Sequence, residues 1–159
     1  MSAAARVRCR LARPQDALAI GVLARRVTRQ WILPEQPRRA AALLLAGMGA
    51  RVVRSKILAG QRFHLAWLDG RLVGVAAMRD DSHLFQLFVS TRLQRRGIAG
   101  RLWQCTMRDA VRRAGTRHFT LNASAMAVPV YRRFGFVSSG PLTISPSGLI
   151  TQPMHLDRR

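Results

Sequence analysis

The chain has 159 residues, 48% of them hydrophobic, and 27 Lys or Arg against 7 Asp or Glu, for a formal net charge of +20. That length fits one domain, read here as residues 1–159, which can bury about 70% of its unfolded surface without disulfides or metal. Its apolar content argues against a disordered chain despite the charge. Every basic residue but Lys56 is arginine and Glu35 is the only glutamate, a skew that looks like genomic base composition. The charge is therefore a weak witness for an anionic partner, although its field draws phosphates and acidic surfaces.

Cys9 and Cys105 form no C-x-x-C pair, and His64, His83, His118 and His155 are dispersed without ligand spacing, so neither a disulfide framework nor a metal is expected. A reducing cytoplasm is the default compartment. The longest apolar run, Ala40 to Met48, is about half of what a membrane span needs. The first thirteen positions lack the apolar core of a signal peptide.

In chain order, Val7, Cys9 and Leu11 alternate with arginines, the period of a half-buried strand. Pro14 and Asp16 suit a helix start, after which Ile20, Leu23, Val27 and Trp31 share one helical face until Pro34 and Pro37 break it. A second helix is expected from Arg38 to Leu58, weakened in the middle by Gly47 and Gly49. Strands follow at Phe63 to Leu68 and Leu72 to Met78, joined by the hairpin signal Asp69-Gly70. A third strand, His83 to Val89, completes the meander.

A polar, basic loop then leads into a helix from about Gly97 to Ala114, with apolar Ile98, Leu102 and Cys105 opposite a stripe of Arg101, Gln104, Arg108 and Arg112. His118 to Ala123 reads as a strand, Ala125 to Phe134 as a short helix interrupted by Pro129, Phe136 to Ser138 as a strand, and Ile150 to Leu156 as the last. Hairpins alternating with helical crossovers predict an α/β fold with one mixed sheet flanked by helices.

The most informative stretch is the strand Leu87-Phe88-Val89, the loop Ser90 to Arg96, and the helix start Gly97-Ile98-Ala99-Gly100. Small residues there let unpaired helix-start amides approach an anion, and the helix dipole adds about half a positive charge. No Gly-Lys-Ser/Thr follows and the glycine spacing is not G-x-G-x-x-G, which removes two nucleotide-binding classes.

Here the sequence resembles the GNAT superfamily of acetyl-CoA-dependent N-acetyltransferases. Gln94-Arg95-Arg96-Gly97-Ile98-Ala99 is similar to its Q/R-x-x-G-x-G/A pyrophosphate loop. Asn122 to Phe136, with Tyr131, Gly135 and Phe136 at the motif's spacing and two more residues between Asn122 and Tyr131, is similar to its N-x-x-A-x-x-x-Y-x-x-x-G-F segment. The element order agrees from Val7 to the C-terminus. The family often carries Pro at the position of Thr91 and Gly at that of Arg95.

The resemblance implies a single-domain fold with a mostly antiparallel, twisted sheet of about seven strands. It implies acetyl-CoA as cofactor, held by Phe88, Val89, Gln94, Arg95, Arg96, Gly97, Ile98, Ala99, Gly100 and Asn122, with no metal. It casts Tyr131 as the general acid that protonates the departing coenzyme A thiolate. Many relatives place a Glu base on the strand occupied here by His83 to Val89. This chain offers His83 and Gln86 instead, and His83 is the candidate base, the alternatives being an amine that arrives neutral or loses its proton through water.

The expected partners are acetyl-CoA and an amine acceptor, with no membrane; the family also allows a homodimer. Few acids are available to hold a cationic amine, so a neutral or anionic acceptor, such as an amino acid or an acidic protein N-terminus, fits better than a polyamine. The rival readings are a coenzyme A-binding sensor without turnover and a basic nucleic-acid-binding module. The latter is weakened by the absence of a helix-turn-helix, zinc-finger or RNP motif.

Overall fold

The computed structural model describes residues 6–159. The strands are β1 (Arg8–Leu11), β2 (Arg62–Leu68), β3 (Arg71–Arg79), β4 (His83–Val89), β5 (His118–Ala123), β6 (Val137–Ser138), β7 (Thr143–Ile144) and β8 (Ile150–Asp157). The helices are α1 (Ala17–Val27), α2 (Arg38–Ala46), α3 (Ala50–Leu58), α4 (Ile98–Ala114) and α5 (Val128–Arg133). The sheet order is β1-β2-β3-β4-β5-β8-β6, with β7 also on β8. Every pairing is antiparallel except β4 with β5.

The single helix expected from Arg38 to Leu58 is two. Gly49 adopts an extended conformation as the N-cap of α3, so the chain turns between α2 and α3 where glycine lowers helix propensity most. The first helix stops being α-helical at Val27 and continues as a π turn from Thr28 to Ile32, with Trp31 packed on the same layer as Ile20, Leu23 and Val27. Pro129 does not interrupt a helix. It lies in the first turn of α5, where its missing N–H would have no partner anyway. The two-residue β7 was not anticipated.

Two apolar layers cover the sheet. On one face Ile20, Leu23, Ala24 and Val27 of α1 and Val53 of α3 pack on Phe63, Leu65, Val75, Ala77 and Phe88. On the other, Ile98, Leu102, Trp103, Met107 and Ala110 of α4 pack on Val73, Ala76, Leu84, Val89, Phe119 and Leu121. Trp103 is the centre of this second layer: its ring meets Phe119 edge-on at 5.3 Å and Phe136 at 5.2 Å. The helix face expected from Ile98, Leu102 and Cys105 is thus rotated toward Trp103, and Cys105 is only half-buried. It meets Cys9 of β1, whose thiol is pushed up to about 12, chiefly by burial and then by Cys105 itself. Residues far apart in sequence are neighbours here, although the high pKa leaves Cys9 a thiol.

A charge cluster around the buried Asp109 ties α4 to β2. Asp109 accepts from Arg62 Nε at 2.9 Å and from Arg62 Nη2 at 3.1 Å, with Arg112 at 3.3 Å and His64 Nε2 at 3.7 Å. Burial pushes the Asp109 carboxyl up, but the Arg62 hydrogen bonds and charge, helped by His64 and Arg113, outweigh it and hold the group below the usual carboxylate range.

Candidate active site

β4 and β5 are paired only at His83 with Thr120 and Leu84 with Leu121. Beyond that point the strands separate, so the stretch from Phe85 to Val89 faces a gap on its β5 side instead of a neighbour. Main-chain groups there lack the ladder bonds they would have in a closed sheet, which makes the gap a place to seat an extended polar ligand. α4 spans it from one face through Trp103, so the gap stays open without the sheet falling apart.

The loop between β4 and α4 sits at the open end of this gap. Ser90 N donates to Val73 O at 2.8 Å and Leu93 N to Ser90 O at 2.9 Å, which folds the loop back toward the sheet. Gln94 Nε2 donates to Val89 O at 3.3 Å. Arg95 and Gly97 both have positive φ, 66° and 77°, an alternation that turns successive amides toward a common concavity. Gly97 is the N-cap of α4, there is no side-chain cap and no acid in the first turn. The helix-start amides are therefore open to an anion. Arg95 and Arg96 are exposed beside them, whereas Ile98 is buried in the core, so its contribution to the loop is its main chain.

Gly74 on β3 brings α4 this close. A Cβ there would come within 2.7 Å of Leu102 Cδ1, 3.2 Å of Phe88 O and 3.4 Å of Ile98 Cγ2. The first turns of α4 and the strand edge at Phe88 are therefore set by one missing methyl group.

Tyr131 lies on α5, packed edge-on against Phe134 and Phe136 with ring centroids 6.2 and 6.0 Å away. Burial pushes its phenol above the ordinary tyrosine range, so it holds its proton at neutral pH. Asn122 is exposed on β5 opposite Pro153 of β8.

His83 is at the paired end of the β4–β5 seam. Its Nδ1 is 2.7 Å from Thr120 Oγ1, and burial together with Arg79 lowers its pKa against the opposing pull of Asp80. Val89 is six positions further along the strand, roughly 20 Å if fully extended. The structure thus gathers Phe88, Val89 and residues 94–100 at one end and leaves His83 at the other.

A feature that no residue pattern announced lies between them. The β3–β4 register passes from Ala77 opposite Gln86 to Met78 opposite Leu84, so Phe85 is an extra residue, a β-bulge. Gln86 shares the face of Ala77, on the α1 side of the sheet. It is 6% exposed, and its Oε1 has no hydrogen-bond partner. On the same side, Trp31 Nε1 is a buried donor without a partner. The segment after α1 is fastened across the sheet edge by Gln36, which donates to Ile150 O and accepts from Ile150 N, both at 2.8 Å.

A family model described as an acetyltransferase (GNAT) domain matches residues 33–158. The chain belongs to the GNAT acetyltransferase family. No curated relative matches it in sequence. In structure it is similar to a GCN5-related N-acetyltransferase from Rhodopseudomonas palustris, with 20% identity, a TM-score of 0.82 and 94% of each chain covered. It is also similar to the PaiA N-acetyltransferase from Thermoplasma acidophilum solved with coenzyme A, at 12% identity and TM-score 0.78, covering 96% of this chain and 99% of that one. A third is yncA of Salmonella typhimurium, described as a putative acetyltransferase with its cofactor acetyl-CoA, at 16% identity and TM-score 0.68, covering 97% and 95%. This GNAT chain has, among its described residues, no group of three or more His, Cys, Asp or Glu placed to hold a metal ion, and no helix long and apolar enough to cross a membrane.

Proposed function

We propose that the protein transfers the acetyl group of acetyl-CoA directly to an amine, with the pyrophosphate on the uncapped start of α4 and the pantetheine arm in the β4–β5 gap. The observation that carries this reading is the coincidence at one end of the sheet of a two-pair seam and an open helix start flanked by Arg95 and Arg96. Two structurally similar proteins were solved with coenzyme A or acetyl-CoA, which supports the same ligand here. Amides of residues 95–100 would cradle the pyrophosphate, Arg95 and Arg96 would add charge-assisted contacts, and main-chain groups of Phe88 and Val89 would hold the acyl arm. Gln94 would exchange its bond to Val89 O for the ligand, and Asn122 would line the β5 side.

Attack by a neutral amine on the thioester carbonyl gives a tetrahedral intermediate; its collapse breaks the C–S bond, and the thiolate takes a proton from Tyr131. The phenol is protonated at neutral pH, the form this step requires, and burial makes it a weaker acid than an exposed tyrosine. For removal of the amine proton, the geometry favours water over His83, whose Nδ1 is engaged with Thr120 at the closed end of the seam. Gln86 cannot take a proton at neutral pH, but its buried, unpartnered carbonyl oxygen can accept a hydrogen bond from the amine and orient it. The acceptor is a neutral or anionic amine, since no acid stands among these residues to pair with a polycation.

Thermal melting with acetyl-CoA and thiol release across an amine panel test the reading. Acetyl-CoA at about 100 times its Kd adds roughly 2.7 kcal/mol of stability; no shift refutes cofactor binding, and a shift without thiol release from any amine leaves the coenzyme A sensor as the function. Tyr131→Phe is expected to lower kcat while leaving acetyl-CoA affinity unchanged, and an unchanged kcat removes Tyr131 from the mechanism.

A further inference from the structure

On the outer side of α1, away from the sheet, a groove of about 490 Å³ is lined by Val22, Arg25 and Arg26 of α1, by Arg29 of the π turn, and by Gly49 and Ala50 at the start of α3. We infer that this groove is a second oxyanion-binding site, separate from the loop at Gly97, which takes a small molecule through a phosphate or carboxylate group.

Three observations support it. First, the three guanidiniums have no acidic counterpart: the ion pairs among the described residues engage Arg10, Arg62, Arg112 and Arg113, never Arg25, Arg26 or Arg29. Gathering three like charges around one groove raises the energy of the unliganded protein, and a bound anion reverses the sign of that contribution. Second, Arg25 Nε is buried and has no hydrogen-bond partner. A guanidinium cannot shed its charge to escape that cost, so Arg25, which lines the groove, gains from an anion that draws its head group outward. Third, α3 starts at the groove with Gly49 as N-cap, no capping side chain and no acid in its first turn, which adds open amides and the positive end of a helix dipole. The volume lies in the range of small-molecule sites.

The groove belongs to the α1 and α3 layer, and Gly97 with α4 to the layer on the opposite face of the sheet. One ligand therefore does not fill both, and the inference is independent of acetyl transfer.

Isothermal titration with inorganic pyrophosphate, and in a second arm with citrate, tests it at constant ionic strength. The variants are Arg25→Gln/Arg29→Gln, the exposed pair Arg26→Gln/Arg29→Gln, and Arg95→Gln/Arg96→Gln to silence the α4 loop. The C-terminal pair Arg158→Gln/Arg159→Gln controls for net charge. The loop variant is expected to retain one anion site, and adding either α1 pair to it to weaken that site about tenfold or more. The arm that binds tells phosphate from carboxylate. Absence of binding to the loop variant in both arms overturns the inference, as does equal weakening by the C-terminal pair. Failure of acetyl-CoA to bind leaves both arms readable, so the two proposals fail separately.

Discussion

Gly74→Ala tests whether one close contact sets both the stability of the sheet–helix layer and the cofactor end. The new methyl would be placed 2.7 Å from Leu102 Cδ1, against an ordinary contact of 3.4 to 4 Å, and 3.2 Å from the Phe88 carbonyl oxygen. Leu102 is 0% exposed and Ile98 3%, so neither can swing into solvent, and α4 must move away from β3 by several tenths of an ångström. Overpacking of this kind costs about 1 to 3 kcal/mol, which for a chain of this size is a Tm lower by about 2 to 12 °C. Because α4 begins at Gly97, the same displacement is expected to misalign the amides proposed to hold the pyrophosphate, and acetyl-CoA affinity is expected to fall with the Tm. Melting curves and acetyl-CoA titration read the two effects. Adding Leu102→Ala to Gly74→Ala is expected to cost less than the sum of the single changes, because the methyl then occupies vacated space. Unchanged Tm and affinity in Gly74→Ala, or strict additivity in the pair, would refute the reasoning.

Acidification is expected to destabilise the fold before ordinary carboxylates titrate. His64 and His83 have folded pKa values below the unfolded 6.5 or so, so the unfolded chain takes up their protons first, and stability falls as pH descends through that value. Asp109, also lowered, adds a loss in the same direction at lower pH. Tm measured from pH 8 to 5 should decline, and His64→Gln/His83→Gln should flatten the decline; a slope that persists in that variant contradicts the assignment. Arg95→Gly relieves a non-glycine residue of its positive φ while loosening the unfolded chain, effects of about 1 kcal/mol each that nearly cancel. Its Tm should therefore barely change while acetyl-CoA affinity drops about tenfold through the lost guanidinium; unchanged affinity in a binding assay would mean that Arg95 points away from the phosphates.

The regular part of this architecture was legible because its signals are local. Alternation across Phe63 to Leu68, the Asp69-Gly70 turn and the strand, basic loop and small-residue helix start from Leu87 to Gly100 need only their own neighbours to be interpreted. The departures arise from tertiary choices. Whether Gly47 and Gly49 merely weaken a helix or break it depends on where α3 must go to meet α1. The bulge at Phe85, which puts Gln86 into the buried α1 layer, adds one residue to a strand whose composition is unchanged by it. Cys9 and Cys105 come together only because β1 lies beside β2 and α4 crosses that edge. β6 and β7 have two residues each, too few for any period to register. Arg25, Arg26 and Arg29 read as a solvated helix face until α3 supplies the second wall of their groove.

The two-pair seam between β4 and β5 also has a mechanical meaning. Residues 8–89 and 118–157 contribute two half-sheets joined by a short hinge, by the packing of α4 through Trp103, and by the Gln36–Ile150 hydrogen bonds. A ligand lying in the gap would act as the missing strand, bonding to both halves at once. Cofactor binding would then be felt as a stiffening of the whole sheet and not only as occupancy of a pocket. Amide exchange at Phe88, Val89 and Asn122 would slow together, and the force needed to pull the halves apart would rise with cofactor concentration.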